Sequence, residues 1–145
     1  MNLMFWRKHP PAPQPQNENQ RRGLWGEAVA ARNLEKNGFK ILAQRVKFGN
    51  REEIDLVARE GDTLVFVEVK TRATEYFGLP IEAIDRTKRR TQSRAAIHYL
   101  KKLHYPRVNF RFDVVEVVGT PDAGEHPIVR HIPNAFQLDP RYRVP

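Results

Sequence analysis

The sequence predicts one α/β domain with the element order α-β-β-β-α-β-β. Two stretches carry apolar residues at helical spacing, and five shorter runs are rich in β-branched and aromatic residues. Glycine, proline or asparagine punctuates the joins between them. At 145 residues the chain is the size of one domain and can remove about 70% of its unfolded surface from water on folding.

Residues 9 to 20 hold four prolines and almost nothing apolar, so residues 1 to 20 are expected to be a disordered tail. Phe5 and Trp6 read as stray apolar residues of that tail. The domain is expected to span residues 21 to 136. Its first helix covers residues 23 to 37, with Leu24, Ala28, Ala31 and Leu34 on one stripe and Asn37-Gly38 as the left-handed stop. A strand over 39 to 48 ends at Gly49-Asn50-Arg51. Strands over 53 to 58 and 64 to 71 flank Arg59-Glu60-Gly61-Asp62-Thr63, a hairpin signal. Residues 74 to 80 read as a loop, with Tyr76 and Phe77 packed in it. A helix over 85 to 103 offers Ala95, Ala96, Tyr99, Leu100 and Leu103 for packing and stops before Pro106. Strands over 108 to 118 and 128 to 132 follow, and residues 137 to 145 are expected as a loose tail.

The chain has no cysteine, which excludes disulfides, thiolate metal sites and cysteine nucleophiles. Any metal must sit on oxygen or imidazole. Lys and Arg number 25 against 17 acidic residues, a net charge of +8 with a pI near 10.1. That balance favours a polyanionic partner, nucleic acid first, without choosing between DNA and RNA. A membrane surface is not expected, because no basic helix with a wide apolar face stands out. The apolar run Leu3 to Trp6 is too short for a signal peptide, so a cytoplasmic location is expected. A homodimer is compatible with all of this.

The hairpin carries the chemistry. If Gly61-Asp62 is a two-residue turn, partners sum to 123 in residue number, which sets Asp55 opposite Glu68, Glu53 opposite Lys70 and Val57 opposite Phe66. Glu53, Asp55, Glu68 and Lys70 then share one face, while Ile54, Leu56, Ala58, Val65, Val67 and Val69 share the other. Carboxylates held about 5 Å apart across two strands repel by about 0.2 to 1 kcal/mol, a cost that a divalent cation removes. Oxygen ligands without thiols or clustered histidines suit Mg2+ or Mn2+. Lys70 sets an ammonium beside the metal, suited to orienting water and steadying phosphate charge, so the set fits phosphodiester hydrolysis. The plain alternative is a set of cross-strand ion pairs on a solvated face. Against it, Leu64 to Val67 is apolar on both faces, which marks a central strand.

Glu27 lies on the apolar stripe of the first helix and needs a partner, either the metal site or an arginine. Arg86, Lys88, Arg89, Arg90 and Arg94 in the second helix, with Arg72, either contact phosphates or form a solvated face. His98, His104 and Asp113 read as structural.

Gly23-Leu24-Trp25-Gly26-Glu27, Glu53-Ile54-Asp55-Leu56-Val57, Val65-Phe66-Val67-Glu68-Val69-Lys70-Thr71-Arg72, Phe77-Gly78-Leu79-Pro80, Lys88 and Arg111-Phe112-Asp113-Val114-Val115 together resemble the bacterial YraN-type family of endonuclease-like proteins. The resemblance covers roughly residues 22 to 136. Such proteins are similar in fold to the PD-(D/E)xK nuclease superfamily, which includes type II restriction enzymes and archaeal Holliday junction resolvases. It implies a restriction-endonuclease-like mixed sheet flanked by helices and a metal-dependent DNA endonuclease, acting on branched or damaged structures. By it Asp55, Glu68 and the Val69 carbonyl bind the metal, Lys70 serves the water, and Glu27 is an accessory acid; the shared hairpin face adds Glu53 as a weaker accessory. Ile54 replaces the superfamily's proline, as is normal for the YraN type, and Glu52 stands where that type usually has glycine. The alternative is a nucleic-acid binding module on the same fold that does not cut.

Overall fold

The computed structural model describes residues 17–50, 52–74, 86–124 and 126–145. The expectations for residues 1 to 16 with Phe5 and Trp6, for Arg51, for the loop from 75 to 80 with Tyr76 and Phe77, and for residue 85 lie outside them. The elements follow in the expected order: α1 Glu18–Lys36, β1 Lys40–Phe48, β2 Glu52–Glu60, β3 Thr63–Arg72, α2 Arg86–Lys102, β4 Asn109–Val118 and β5 Ile128–Phe136. The strands form one mixed sheet, β1-β2-β3-β4-β5, antiparallel except for the parallel pair β3 and β4. α2 is the crossover that a parallel pair requires. None of the helices described is long and apolar enough to cross a membrane.

Each helix covers one face of the sheet. α1 lays Val29, Ala30, Ala31 and Leu34 against Leu56, Ala58, Val65, Val67, Val115 and Val117. α2 lays Ala95, Ala96, Tyr99 and Leu100 against Ile54, Val57, Leu64, Phe66, Phe112 and Val114. β3 is therefore buried on both faces, and each fully buried Val, Leu or Phe contributes about 1.5 to 3 kcal/mol. The stripe of α1 is rotated from the one expected, since Ala28 is exposed and Gly26 is buried. Gly26 faces the sheet so closely that a Cβ there would collide with the Thr71 side chain.

Both ends of the domain are more ordered than expected. Asn17 caps α1 by accepting the Gln20 N–H at 2.8 Å, so residues 17 to 20 belong to the helix and not to a disordered tail. Arg21 then grips Asp122 with two hydrogen bonds of 2.6 and 2.7 Å, tying the start of α1 to the turn before β5. Residues 137 to 145 are not loose. Asp139 is buried, its N–H donates to Ser93 Oγ at 2.9 Å, and Leu138 and Val144 pack on the α2-side core.

The β2–β3 hairpin has the counted register: Leu56 pairs Val67, Val57 pairs Phe66, Ala58 pairs Val65 and Glu60 pairs Thr63. Gly61 takes φ 56 at the first central position of the turn, a value that favours glycine. One part of the face assignment is corrected. Ile54 packs with Val57 under α2 and not with Leu56 under α1. Two residues of one strand that lie three apart share a face only if the alternation slips between them. On β1 the same slip sets both Ala43 and Val46 under α2, and Arg45 between them has φ 49. The pairing steps from Gln44 with Leu56 to Val46 with Ile54, so the kink flanks Arg45 and Asp55 together.

Candidate metal and catalytic site

Beyond Leu56 and Val67 the backbone ladder of the hairpin gives way to a side chain. Asp55 Oδ2 accepts the Val69 N–H at 2.8 Å, so β2 and β3 part and Asp55 fills the fork. The close approach of Gly26 brings the next residue, Glu27, to the same place. One oxygen each from Glu27, Glu53 and Asp55 lies within 4.8 Å of the others, and all three side chains are half-buried.

Three carboxylates this close are electrostatically costly. Burial pushes the Asp55 carboxyl well above the ordinary carboxylate range, the Glu68 charge adds to it, and the Val69 N–H opposes both. Charges on Glu27 and Glu53 raise it further. Burial likewise lifts Glu27 to about 6, against the pull of Arg45, whose Nη1 lies 3.4 Å from Glu27 Oε2. The two readings of Glu27 thus coincide: it pairs with an arginine and also faces the acidic set. The positive φ of Arg45 goes with that pairing, since the backbone that flips the strand also carries the guanidinium to α1's side. Such a backbone costs roughly 1 to 3 kcal/mol in a residue with a side chain.

Glu68 is buried and held by two lysines, Lys88 Nζ at 2.8 Å and Lys70 Nζ at 3.5 Å from the same oxygen. Burial works against the Lys88 charge, but Glu68 outweighs it and holds the ammonium above its ordinary value. Gln92, one helical turn after Lys88, donates to the Glu53 carbonyl at 3.1 Å and pins α2 to β2. Lys70 stands beside Glu116 in the parallel register. Glu116 is buried with Arg130 at 3.0 Å and Arg72 at 3.8 Å, and burial raises its carboxyl against the pull of Arg72.

Asp55 and Glu68 were the expected ligand pair, with Glu27 and Glu53 accessory; among the described residues, Glu27, Glu53 and Asp55 form a group of carboxylates close enough to share one ion. Glu53 faces Lys47 of β1, 3.9 Å away, where Lys70 was expected. Val69 meets Asp55 through its N–H. Four of the basic residues expected to contact phosphates are engaged within the fold: Arg72 with Glu116, Lys88 with Glu68, Arg90 with Asp139 at 3.9 Å, and Arg94 with Glu52 at 2.9 Å. Glu52, the departure at the glycine position, is the anchor of that last pair and also meets His98 Nδ1 at 3.0 Å. Arg45, Gln92 and Glu116 were missed. Gln92 was findable, being four residues after Lys88 on one helix face.

A mixed five-stranded sheet with one helix on each face, opened at the end of its β2–β3 hairpin around an oxygen-only acidic cluster, defines an α/β domain of the restriction-endonuclease-like pattern. The model of the uncharacterised protein family UPF0102 matches residues 26–117, and the chain belongs to that family, the YraN type. It is 41% identical over 120 residues to a UPF0102 protein of Geobacter metallireducens, covering 83% of this chain and 95% of the relative. It is 44% identical over 118 residues to one of Symbiobacterium thermophilum, covering 81% and 98%. The matched region holds Glu27, Glu53, Asp55, Glu68 and Lys70.

Proposed function

We propose that this protein is a metal-dependent endonuclease that hydrolyses phosphodiester bonds in DNA, including branched or damaged DNA. The observation that carries the reading is the convergence of Glu27, Glu53 and Asp55 within 4.8 Å, next to the buried Glu68 and its partner Lys70. The donors fit Mg2+ or Mn2+: all are carboxylate oxygens, no thiolate or imidazole is among them, and burial makes the unneutralised charge of Glu27 and Asp55 unfavourable. Val69's carbonyl would be a further ligand. Such an ion, when bound, draws charge from a phosphate oxygen and makes a water a better nucleophile.

The protein's own groups supply the rest. Lys70 is a quarter exposed, so its ammonium can hydrogen-bond a water or a phosphate oxygen while Glu68 fixes its position. Glu68 is itself fixed by Lys88, which makes the catalytic strand and α2 one unit. Hydrolysis joins a water oxygen to phosphorus and breaks the bond to a sugar oxygen, which leaves with a proton.

Purified protein incubated with plasmid, single-stranded and four-way-junction DNA under Mg2+ or Mn2+ should cut at least one of them. Asp55→Ala and Lys70→Ala should each lower the rate by about a hundredfold or more. Equal cutting by wild type and both variants would mean a contaminant and end the assignment. An RNA arm tests the nucleic acid type.

A second reading, a nucleic-acid binding module that does not cut, is favoured by one observation. Lys88 approaches Glu68 at 2.8 Å, a position in which an ammonium can take the place of a cation. Metal-independent binding that survives Asp55→Ala, with no cutting under either metal, would select it.

A further inference from the structure

Around α2 from the carboxylates, the C-terminal segment closes a hollow of about 300 Å³ lined by Arg86, Arg89, Arg90, Asp139, Pro140 and Arg141. We propose that this hollow is a phosphate-binding pocket that holds one phosphate group of a polynucleotide beside the carboxylate site. The choice of a polynucleotide rests on the nuclease reading; the phosphate chemistry does not.

Four arginines and one aspartate line the pocket. Asp139 only partly answers them, because one of its oxygens accepts the Arg141 N–H at 3.0 Å and the other stands 3.9 Å from Arg90 Nε. The buried Nε–H groups of Arg89 and Arg90 have no acceptor among the described residues. A buried donor without an acceptor is costly, and a tetrahedral oxyanion offers several acceptors at once. Guanidinium forks bind phosphate oxygens in pairs, which an ammonium cannot do.

The pocket is built, not incidental. The Asp139 N–H is bound to the buried Ser93 Oγ, and Leu138 and Val144 seat the segment on the core. Ser93 follows Arg89 by four residues and Arg90 by three, so one helix face carries both the wall and its anchor. Lys88, on the same turn of α2 as Arg89 and Arg90, reaches Glu68 on the other side. The first turns of α2 therefore carry both a wall of the pocket and a residue that reaches the catalytic strand.

The test uses the full chain in EDTA, so that cutting plays no part. Arg89→Gln with Arg141→Gln should weaken binding of a single-stranded oligonucleotide, read by fluorescence anisotropy, about tenfold or more. It should also lower the slope of log affinity against log salt by about 0.7, the loss of one phosphate contact on a single strand. The thermal stabilisation given by inorganic phosphate should disappear with it. Lys101→Gln with Arg107→Gln removes two exposed charges at the other end of α2 and should change neither slope nor phosphate response. Arg89→Lys with Arg141→Lys keeps the charge without the forks and should recover only part of the affinity. Equal losses in the two Gln double variants would reduce the pocket to general basic charge and overturn the proposal. Loss of the phosphate response with unchanged oligonucleotide affinity would make it a free-anion site and overturn the polynucleotide. Absence of cutting in the metal assays would leave this result standing.

Discussion

Asp55 has two acceptor oxygens and two demands on them: one takes the Val69 N–H that keeps the fork open, and the carboxylate as a whole faces Glu27, Glu53 and Glu68. These demands separate on substitution. Asp55→Asn keeps an acceptor for Val69 and removes one of the repelling charges, so the metal-free variant should be more stable than wild type by up to about 1 kcal/mol. Wild type should also gain about 2.7 kcal/mol when Mn2+ is present at a hundred times its dissociation constant, and the variant should gain almost nothing. Urea denaturation with and without Mn2+ reads both numbers. A variant that keeps the full Mn2+ gain would move the ion away from Asp55. How much of this the sequence disclosed follows from the hairpin. A two-residue turn fixes register, so the count to 123 placed Val57 against Phe66 correctly and brought Asp55 and Glu68 to one end of it. It assumed unbroken alternation, and that assumption failed at the chemistry. Nothing in an arginine's side chain announces a positive φ, so the Arg45 kink, the displaced Ile54 and the closeness of Glu53 to Glu27 were beyond pattern reading.

The elements themselves were legible because each is periodic and ends at a recognisable stop. The helix rotation was not, because Gly26 contributes no apolar signal although it is the point of closest approach. In an exposed helix Gly→Ala stabilises by about 0.5 to 1 kcal/mol. At Gly26 the added methyl would meet Thr71 on β3, and overpacking of this kind costs roughly 1 to 3 kcal/mol, so the clash wins. Gly26→Ala should therefore lower stability by about 1 to 2 kcal/mol and, by pushing α1 outward, carry Glu27 away from Glu53 and Asp55 and weaken the Mn2+ response. Paired denaturation and Mn2+ titration would check it, and a more stable Gly26→Ala protein would show that α1 is not seated as described. The C-terminal segment was misread for a related reason. Residues 137 to 145 are too polar to predict burial, and the hydrogen bond that helps hold them runs to Ser93, 46 positions away.

Across the whole molecule, two carboxylates on the strands that flank β3 are treated in opposite ways. At the fork Asp55 is kept reluctant to ionise, whereas on β4 Asp113 is surrounded by donors. Burial alone would raise the Asp113 carboxyl, but His131 Nε2 at 2.7 Å, Arg111 Nε at 2.9 Å and the Asn134 N–H at 2.9 Å outweigh it and hold it below its ordinary value. Arg111 also reaches Glu60 near the hairpin turn and lies over the Phe39 ring, so this one carboxylate joins β2, β4, β5 and the end of α1. A carboxyl whose folded value is depressed adds stability that is complete above its unfolded value, 3.8 for an ordinary aspartate, and that is lost as pH falls through the lower folded value. Asp113→Asn keeps the shape but faces the Arg111 and His131 donors with an amide, leaving the half-buried guanidinium with Glu60 alone, and should cost about 1 to 3 kcal/mol at pH 7. Urea denaturation of both proteins from pH 7 to pH 2 should show a constant gap down to about pH 5, then a narrowing gap below pH 4 as wild-type Asp113 takes up its proton. A gap that stayed constant through that range would mean that the Asp113 charge contributes nothing and that its hydrogen bonds alone hold the four elements.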